Sequence, residues 1–382
     1  MRAFSIAQLR QAAQRRLPRS VFNFIDGGAE DERTLRDNCA AFGRVRLLPK
    51  VLNDVSNIQT KTSILGKESG LPLAIAPTGA VGFGWPGGDL AIARAAARFG
   101  IPYSLSMSAT TSIERIAEEA PGRLWFQAYF LKQRDYTFGL IERARAAGYE
   151  ALIVTADVPV GGKRERDYRT DFTVPFRYTP KNLLDFASHP AWALSQLRHG
   201  MPKLVNLAGV APEARSTSAL ASSVARSNDP SLDWEVLKRV RDRWPGKLMV
   251  KGILRADDAA RAVALGCEGV IVSNHGGRQL ESAVATLDAL PPIVRAVGSK
   301  AAVLLDGGVR RGGDAFKALA LGAQAVMTGR ATLYGACAAG SEGAVRALDI
   351  LSDELVRTMQ LCGARSIGEI GPQLLFQGED PK

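Results

Sequence analysis

Short apolar runs, many rich in β-branched or aromatic residues, recur along the chain: LPLAIAP (71–77), IPYSLSM (101–107), LWFQAYF (124–130), ALIVTAD (151–157), KLMVKGI (247–253), GVIVSNH (269–275), AVLLDGG (302–308) and AVMTGRA (325–331). Runs of this kind predict buried strands. Between most of them lie Ala- and charge-rich stretches with helical spacing, such as DLAIARAAARFG, YTFGLIERARAAGY, ADDAARAVALG and GGDAFKALALG. Each closes on Gly, the residue that ends a helix most easily because it tolerates positive φ.

Strands alternating with helices predict a parallel sheet covered on both faces. Eight such units fit a closed (β/α)₈ TIM barrel, with an open doubly wound sheet as the alternative. Polar residues at the ends of the runs favour the barrel: Thr78, Ser106, Gln127 with Tyr129, Thr155 with Asp157, Lys251, Ser273 with His275, Asp306 and Arg330. A barrel gathers these ends at one mouth, where active sites of this fold lie.

Two regions break the rhythm. Residues 1–70 predict an N-terminal helical cap, and 158–246 form an excursion between the fourth and fifth strands, far longer than an ordinary βα connection. The reading is one domain over 1–382, with a barrel core at about 71–350 and a mobile or membrane-facing loop at about 176–215, where basic residues mix with Trp, Phe and Leu.

Composition narrows the class. The chain has 382 residues, 46% of them hydrophobic, with a net charge of +11. A basic balance draws anionic partners, but no dense Lys/Arg block or zinc-finger spacing points to nucleic acid. Cys39, Cys267, Cys337 and Cys362 are too scattered for a disulfide frame or a zinc site, so no metal is expected. The opening MRAFSIAQLRQAAQRRLPRS carries no apolar run of the secretory kind, and a cytoplasmic chain is expected, peripheral on the inner face of the membrane if the excursion binds lipid.

The chemistry concentrates in three stretches. In SNHGGRQL, His275 ends a strand, Gly276 and Gly277 turn the backbone, and Arg278 follows. Imidazole exchanges a proton near neutral pH, and a guanidinium can clamp a carboxylate. A lone loop histidine is most often structural; the strand end, the glycines and the arginine reverse that preference. In TADVPVGGKRERD, Asp157 could support a protonated His275, and Arg164 could be a second clamp. Lys163 and Arg166 of the same stretch read as solvated charge. In DGGVRRGGD and MTGRATLYG, Gly-rich turns after the last two strands, with Arg310 and Arg330, suit a phosphate.

These stretches, together with PRSVFNFIDGGAEDERTLRDN, LPLAIAPTG and LWFQAY, make the sequence resemble the FMN-dependent L-2-hydroxy acid dehydrogenase/oxidase family over nearly its whole length. GGAEDE, PTGAVGFGWPGGD, RERD and HPAW…RHGMP draw it towards the mandelate-oxidising branch. The resemblance implies non-covalent FMN across the barrel mouth. Gly307, Gly308, Gly329 and Arg330 would meet its phosphate, with Arg310 nearby and Asp306 on the ribityl chain. Pro77, Thr78, Gly79, Ser106, Gln127, Thr155, Lys251 and Ser273 would meet the ring. Arg164 and Arg278 would hold the substrate carboxylate, Tyr129 would place the substrate, and His275, backed by Asp157, would remove either the hydroxyl or the α-carbon proton. Lys251 would stabilise the reduced ring. Electrons would pass to a quinone or to oxygen, the chain would be a homotetramer, and an L-lactate dehydrogenase or H2O2-forming oxidase is the alternative.

One position departs from the family. Phe24 stands where a Tyr usually contacts the carboxylate, so it is expected to line the pocket without that hydroxyl. Ser108, where several small-substrate members carry a bulky aromatic, leaves room for an aryl group. Gly79 fits the mandelate pattern and a dehydrogenase over an oxidase.

Overall fold

The computed structural model describes residues 1–170, 179–209 and 227–376, so the loop expected at 176–215 lies partly outside the described residues. Two short strands, β1 (Thr62–Ile64) and β2 (Lys67–Ser69), form an antiparallel ribbon. Eight parallel strands follow: β3 (Leu73–Thr78), β4 (Tyr103–Ser106), β5 (Leu124–Ala128), β6 (Ala151–Thr155), β7 (Lys247–Ile253), β8 (Gly269–Val272), β9 (Ala302–Leu305) and β10 (Ala325–Thr328). They pair in chain order and close where β10 meets β3, Val326 opposite Leu73. The closed barrel, and not the open sheet, is therefore the fold.

Each predicted strand is present; most stop short of their polar end, whereas β7 spans its whole run and β3 reaches Thr78. His275 and Asp306 lie just beyond β8 and β9, and Arg330 begins the helix Arg330–Cys362. The helix-closing glycines Gly100, Gly148, Gly266 and Gly322 all have positive φ, at 62°, 80°, 87° and 101°. Large apolar side chains fill the barrel, among them Trp125, Ile153, Met249, Ile271, Leu304 and Met327.

The N-terminal region is only partly the helical cap expected. Helices Ile6–Arg16, Arg19–Asp26 and Arg33–Arg44 form it, but the β1–β2 ribbon does something else. Ile64 and Leu65 join the core inside the barrel and plug the end opposite the mouth. Arg123, just before β5, fastens the plug by donating to the Ile64 carbonyl at 2.8 Å while pairing with Glu150. Strands of three residues are too short for a period-two pattern to stand out, which is why the ribbon was not predicted.

Where described, the excursion is helical. Pro180–Ala187 and Pro190–His199 pack on the barrel through Trp192, whose indole donates to the Phe83 carbonyl at 2.8 Å. The tryptophan expected to mark a lipid-facing loop is thus buried. Leu183, Leu184, Leu194 and Leu197 face solvent instead. Among the described residues no helix is long and apolar enough to cross a membrane.

Ile64 is fully buried in the plug. Ile64→Ala should therefore cost about 2–5 kcal/mol of stability, read as a lower urea midpoint.

Candidate active site

The site grows from the turn that leaves β8. His275, Gly276 and Gly277 all take left-handed backbone, with φ of 59°, 63° and 72°. For histidine this costs on the order of 1 kcal/mol. A Cβ on residue 277 would lie 2.5 Å from the Leu35 amide nitrogen, so only glycine lets the turn dock on the helix Arg33–Arg44. Asn274 locks that docking by exchanging two 2.8 Å hydrogen bonds with Asn38. Asn274 stands inside the SNHGGRQL motif, but its partner, 236 residues away, is not apparent from the sequence.

The turn aims the imidazole across the mouth. Nδ1 lies 3.0 Å from Asp157 Oδ1, and Nε2 lies 3.3 Å from the Tyr129 hydroxyl. If Nδ1 carries the proton, Asp157 fixes the tautomer and leaves Nε2 free to accept. Burial pulls the His275 pKa below its ordinary value; Asp157 opposes this, and the nearby Lys251 cation adds to it. The Asp157 carboxyl sits below the usual range because His275 and Lys251 outweigh its burial. Burial pushes the Tyr129 phenol up to about 12, so it stays a neutral donor. The geometry is that of a neutral base with an ionised supporting carboxylate.

Beneath this pair lies a buried cation. Lys251 donates to Ser273 Oγ at 2.7 Å and pairs with Asp306 at 3.2 Å. Burial works against its charge, but Asp306 and Asp157 outweigh burial and raise its pKa. Beside it, Ser106 donates to Gln127 at 3.0 Å, and Gln127 donates to Thr155 at 2.9 Å. This chain holds the polar ends of β4, β5 and β6 together.

The arginines converge from three directions. Arg278 donates from Nη1 to the carbonyls of Phe24 and Gly27, each at 2.8 Å. Arg330 donates to Ile25, Gly27 and Gly276 carbonyls at 3.1, 2.7 and 2.8 Å. Arg164 is held by Asp167 at 2.8 Å. Burial, then repulsion from Arg164 and Arg330, weakens the hold of Arg278 on its proton. An anion between these groups would relieve that repulsion. The Phe24 ring packs against both guanidiniums, with Arg164 at 5.8 Å and Arg278 at 5.2 Å. Cation–π attraction thus remains where a hydroxyl is absent.

Arg166 corrects an expectation. It is no solvated loop charge: it bridges Asp26 at 2.9 Å and Glu32 at 2.5 Å, tying the loop that bears Arg164 to the segment that bears Phe24. Lys163 is the exposed residue expected.

These groups surround one cavity that opens to solvent at the barrel mouth. Its wall includes Phe24, Pro77, Thr78, Gly79, Ser106, Ser108, Tyr129, Arg164, Lys251, His275 and Arg278, together with Asp306, Gly307, Gly308, Arg310, Gly329 and Arg330. Asp157, Gln127, Thr155 and Ser273 stand behind the wall and orient it. Val158, Leu204 and Asn228, which the excursion and its entry bring to the wall, carry no signal of this place in the sequence. Gly79 and Ser108 face each other closely: a Cβ on residue 79 would lie 3.0 Å from Ser108 Cβ. Among the described residues no cluster of His, Cys, Asp and Glu could hold a metal ion.

A barrel mouth of this kind can hold a small anion and take a proton from it, the work of an enzyme on a carboxylate-bearing metabolite. The chain belongs to the FMN-dependent dehydrogenase family, whose model matches residues 13–377, and within it to the 2-hydroxy acid dehydrogenases. It is 44% identical over 372 residues to the (S)-mandelate dehydrogenase of Pseudomonas putida, covering 97% of this chain and 93% of that protein. It is 42% identical over 376 residues to the L-lactate oxidase of a Nostoc species, covering 97% of each. A crystal structure of the monotopic membrane protein (S)-mandelate dehydrogenase superposes with a TM-score of 0.95 at 43% identity, covering 99% of this chain and all of that one.

The cavity fits FMN. Asp306 Oδ1 is buried in its wall without a hydrogen-bond partner among the described residues, an acceptor suited to a sugar-alcohol hydroxyl. Gly307, Gly308, Gly329 and the arginines Arg310 and Arg330 line the side where the helix Arg330–Cys362 begins, a positive end that suits a phosphate.

For a neutral His275 acting as base, kcat/KM should rise with pH along an acid limb below about 6.5. Asp157→Asn removes the group that props the pKa up. The limb should move to lower pH and the plateau should fall by about 100-fold or more, measured as a pH profile.

Proposed function

We propose that the protein oxidises an aryl L-2-hydroxy acid, with (S)-mandelate as the type substrate, to the 2-keto acid and passes the electrons to a quinone-type acceptor. The observation that carries the proton-transfer part is the His275–Asp157 pair, with Tyr129 on the imidazole's other nitrogen. Support for an aryl side chain comes from the Gly79–Ser108 face, which carries no bulk, and from the 44% identity to a mandelate dehydrogenase.

In this reading Arg164 and Arg278 hold the carboxylate and Phe24 packs behind them. Tyr129 donates to the substrate and sets its angle. His275 Nε2 takes a proton from the substrate, and Asp157 stabilises the imidazolium through Nδ1–H. FMN, when bound, supplies the two-electron acceptor. Lys251 keeps a fixed positive charge below, ready to offset negative charge as it develops.

A peripheral membrane site is part of the proposal. Leu184, Leu194 and Leu197 are 74%, 68% and 82% exposed on the excursion helices. Exposed Lys181, Arg198 and Lys203 accompany them. Apolar and basic groups together are what an anionic bilayer surface binds.

Anaerobic mixing of the yellow protein with (S)-mandelate should bleach the flavin faster than mixing with L-lactate, and colour should return slowly in air. Faster bleaching by lactate would sink the aryl assignment, and rapid return of colour would mark an oxidase. The protein should also co-sediment with vesicles containing phosphatidylglycerol at low salt, and Leu194→Glu with Leu197→Glu should abolish this. Failure of the unmodified protein to sediment would remove the membrane reading.

A further inference from the structure

Where the excursion returns to the barrel, Asn228 brings a polar side chain to the cavity wall. Its backbone is held firmly. It bridges Leu131, while Lys132 donates to the Ser227 carbonyl at 2.8 Å and Asp229 donates to the Phe130 carbonyl at 2.9 Å. Asp229 is in turn clamped by Arg134 at 2.6 Å. The amide is oriented as well, because Nδ2 donates to the Val158 carbonyl at 3.0 Å. The other end, Oδ1, is buried and has no hydrogen-bond partner among the described residues. The residue as a whole is 5% exposed. Val158 and Leu204, which share this wall, offer no side-chain donor.

A buried amide oxygen is rarely left unpaired, because burial forfeits its hydrogen bonds to water. An apolar side chain would fill this place in the wall without that cost. The oxygen therefore calls for a donor that arrives with a ligand. The carboxylate and the reacting carbon of the substrate already have Arg164, Arg278, Tyr129 and His275. The donor must then sit on the far part of the substrate side chain.

We infer that Asn228 sets specificity by accepting a hydrogen bond from a hydroxyl on the aromatic ring of the substrate, so that the preferred class is a ring-hydroxylated aryl 2-hydroxy acid. This rests on the aryl reading proposed above. Asn228 touches no reacting atom; it selects among substrates. A site built to accept from a hydroxyl discriminates strongly against the analogue that lacks one, because its own buried acceptor is then left unpaired.

The test compares kcat/KM for (S)-mandelate and its 3-hydroxy, 4-hydroxy and 4-methoxy forms, using the FMN-loaded protein and its Asn228→Leu variant. The methoxy group keeps bulk and oxygen but cannot donate. One hydroxylated acid should exceed both mandelate and the methoxy acid by about tenfold or more, and that ratio should collapse to about one or below in Asn228→Leu. A purely structural role for Asn228 would lower all four values together and leave the ratio alone, which would overturn the inference. So would a protein that turns over mandelate as well as both hydroxylated acids; that comparison needs no variant. If lactate alone is turned over, the aryl reading falls and takes this inference with it. If mandelate is turned over without a hydroxyl preference, only the inference falls.

Discussion

The carboxyl end of one short helix, Arg19–Asp26, is the anchor on which the barrel mouth depends. Its last carbonyls, with that of Gly27, accept five hydrogen bonds: two from Arg278, two from Arg330 and the helix's own capping bond from the Gly27 amide. The helix dipole is negative here, so cations are favoured. Asp26 adds a buried carboxylate that takes Arg10, Arg166 and the Tyr334 hydroxyl. Those bonds hold its pKa at about 2 against the effect of burial. Segments far apart in the chain thus share one electrostatic hub. Without it, the buried guanidiniums of Arg278 and Arg330 would lose the carbonyls that hold them in place against their mutual repulsion.

The same principle of opposed charges organises the floor. Lys251 is buried, and a lone buried ammonium would shed its proton. Asp306 at 3.2 Å prevents that, and the Asp306 oxygen left over lies ready for a ligand. The mouth is therefore pre-set in protonation as well as in shape: a neutral imidazole, an ionised carboxylate behind it and a permanent cation below. Such preorganisation lets charge develop during a reaction without rearranging the site.

Strain and close approach complete the arrangement. His275 adopts a backbone conformation that costs histidine energy, and Gly277 sits so close to Leu35 that any side chain would push the turn away. The turn survives because Asn274 and Asn38 pair across the gap and Arg330 binds the Gly276 carbonyl. Strained backbone held by its surroundings is common where a side chain must point into a site. Here the side chain so aimed is the imidazole.

Much of this was legible in the residues. Eight apolar runs with helical stretches between them determined the barrel, because a parallel strand buried on both faces must be apolar throughout and its helix must end before the next begins. The polar tips of those runs determined the mouth, and His275, Asp157, Lys251 and Arg278 were visible as chemistry at strand ends. Other features were not legible. The β1–β2 plug consists of strands too short to show a period, Arg166 looked like one more charge in KRER, and Trp192 looked like a surface marker in a basic segment. Asn228 gave no signal at all, since an asparagine before Asp-Pro reads as a turn. Periodicity along a chain reports which face of an element is buried, and so it determined the elements and their order. Which side chain meets a distant partner, and which acceptor is left waiting for a ligand, depends on contacts between segments 59 to 140 residues apart, and only the tertiary structure decided those.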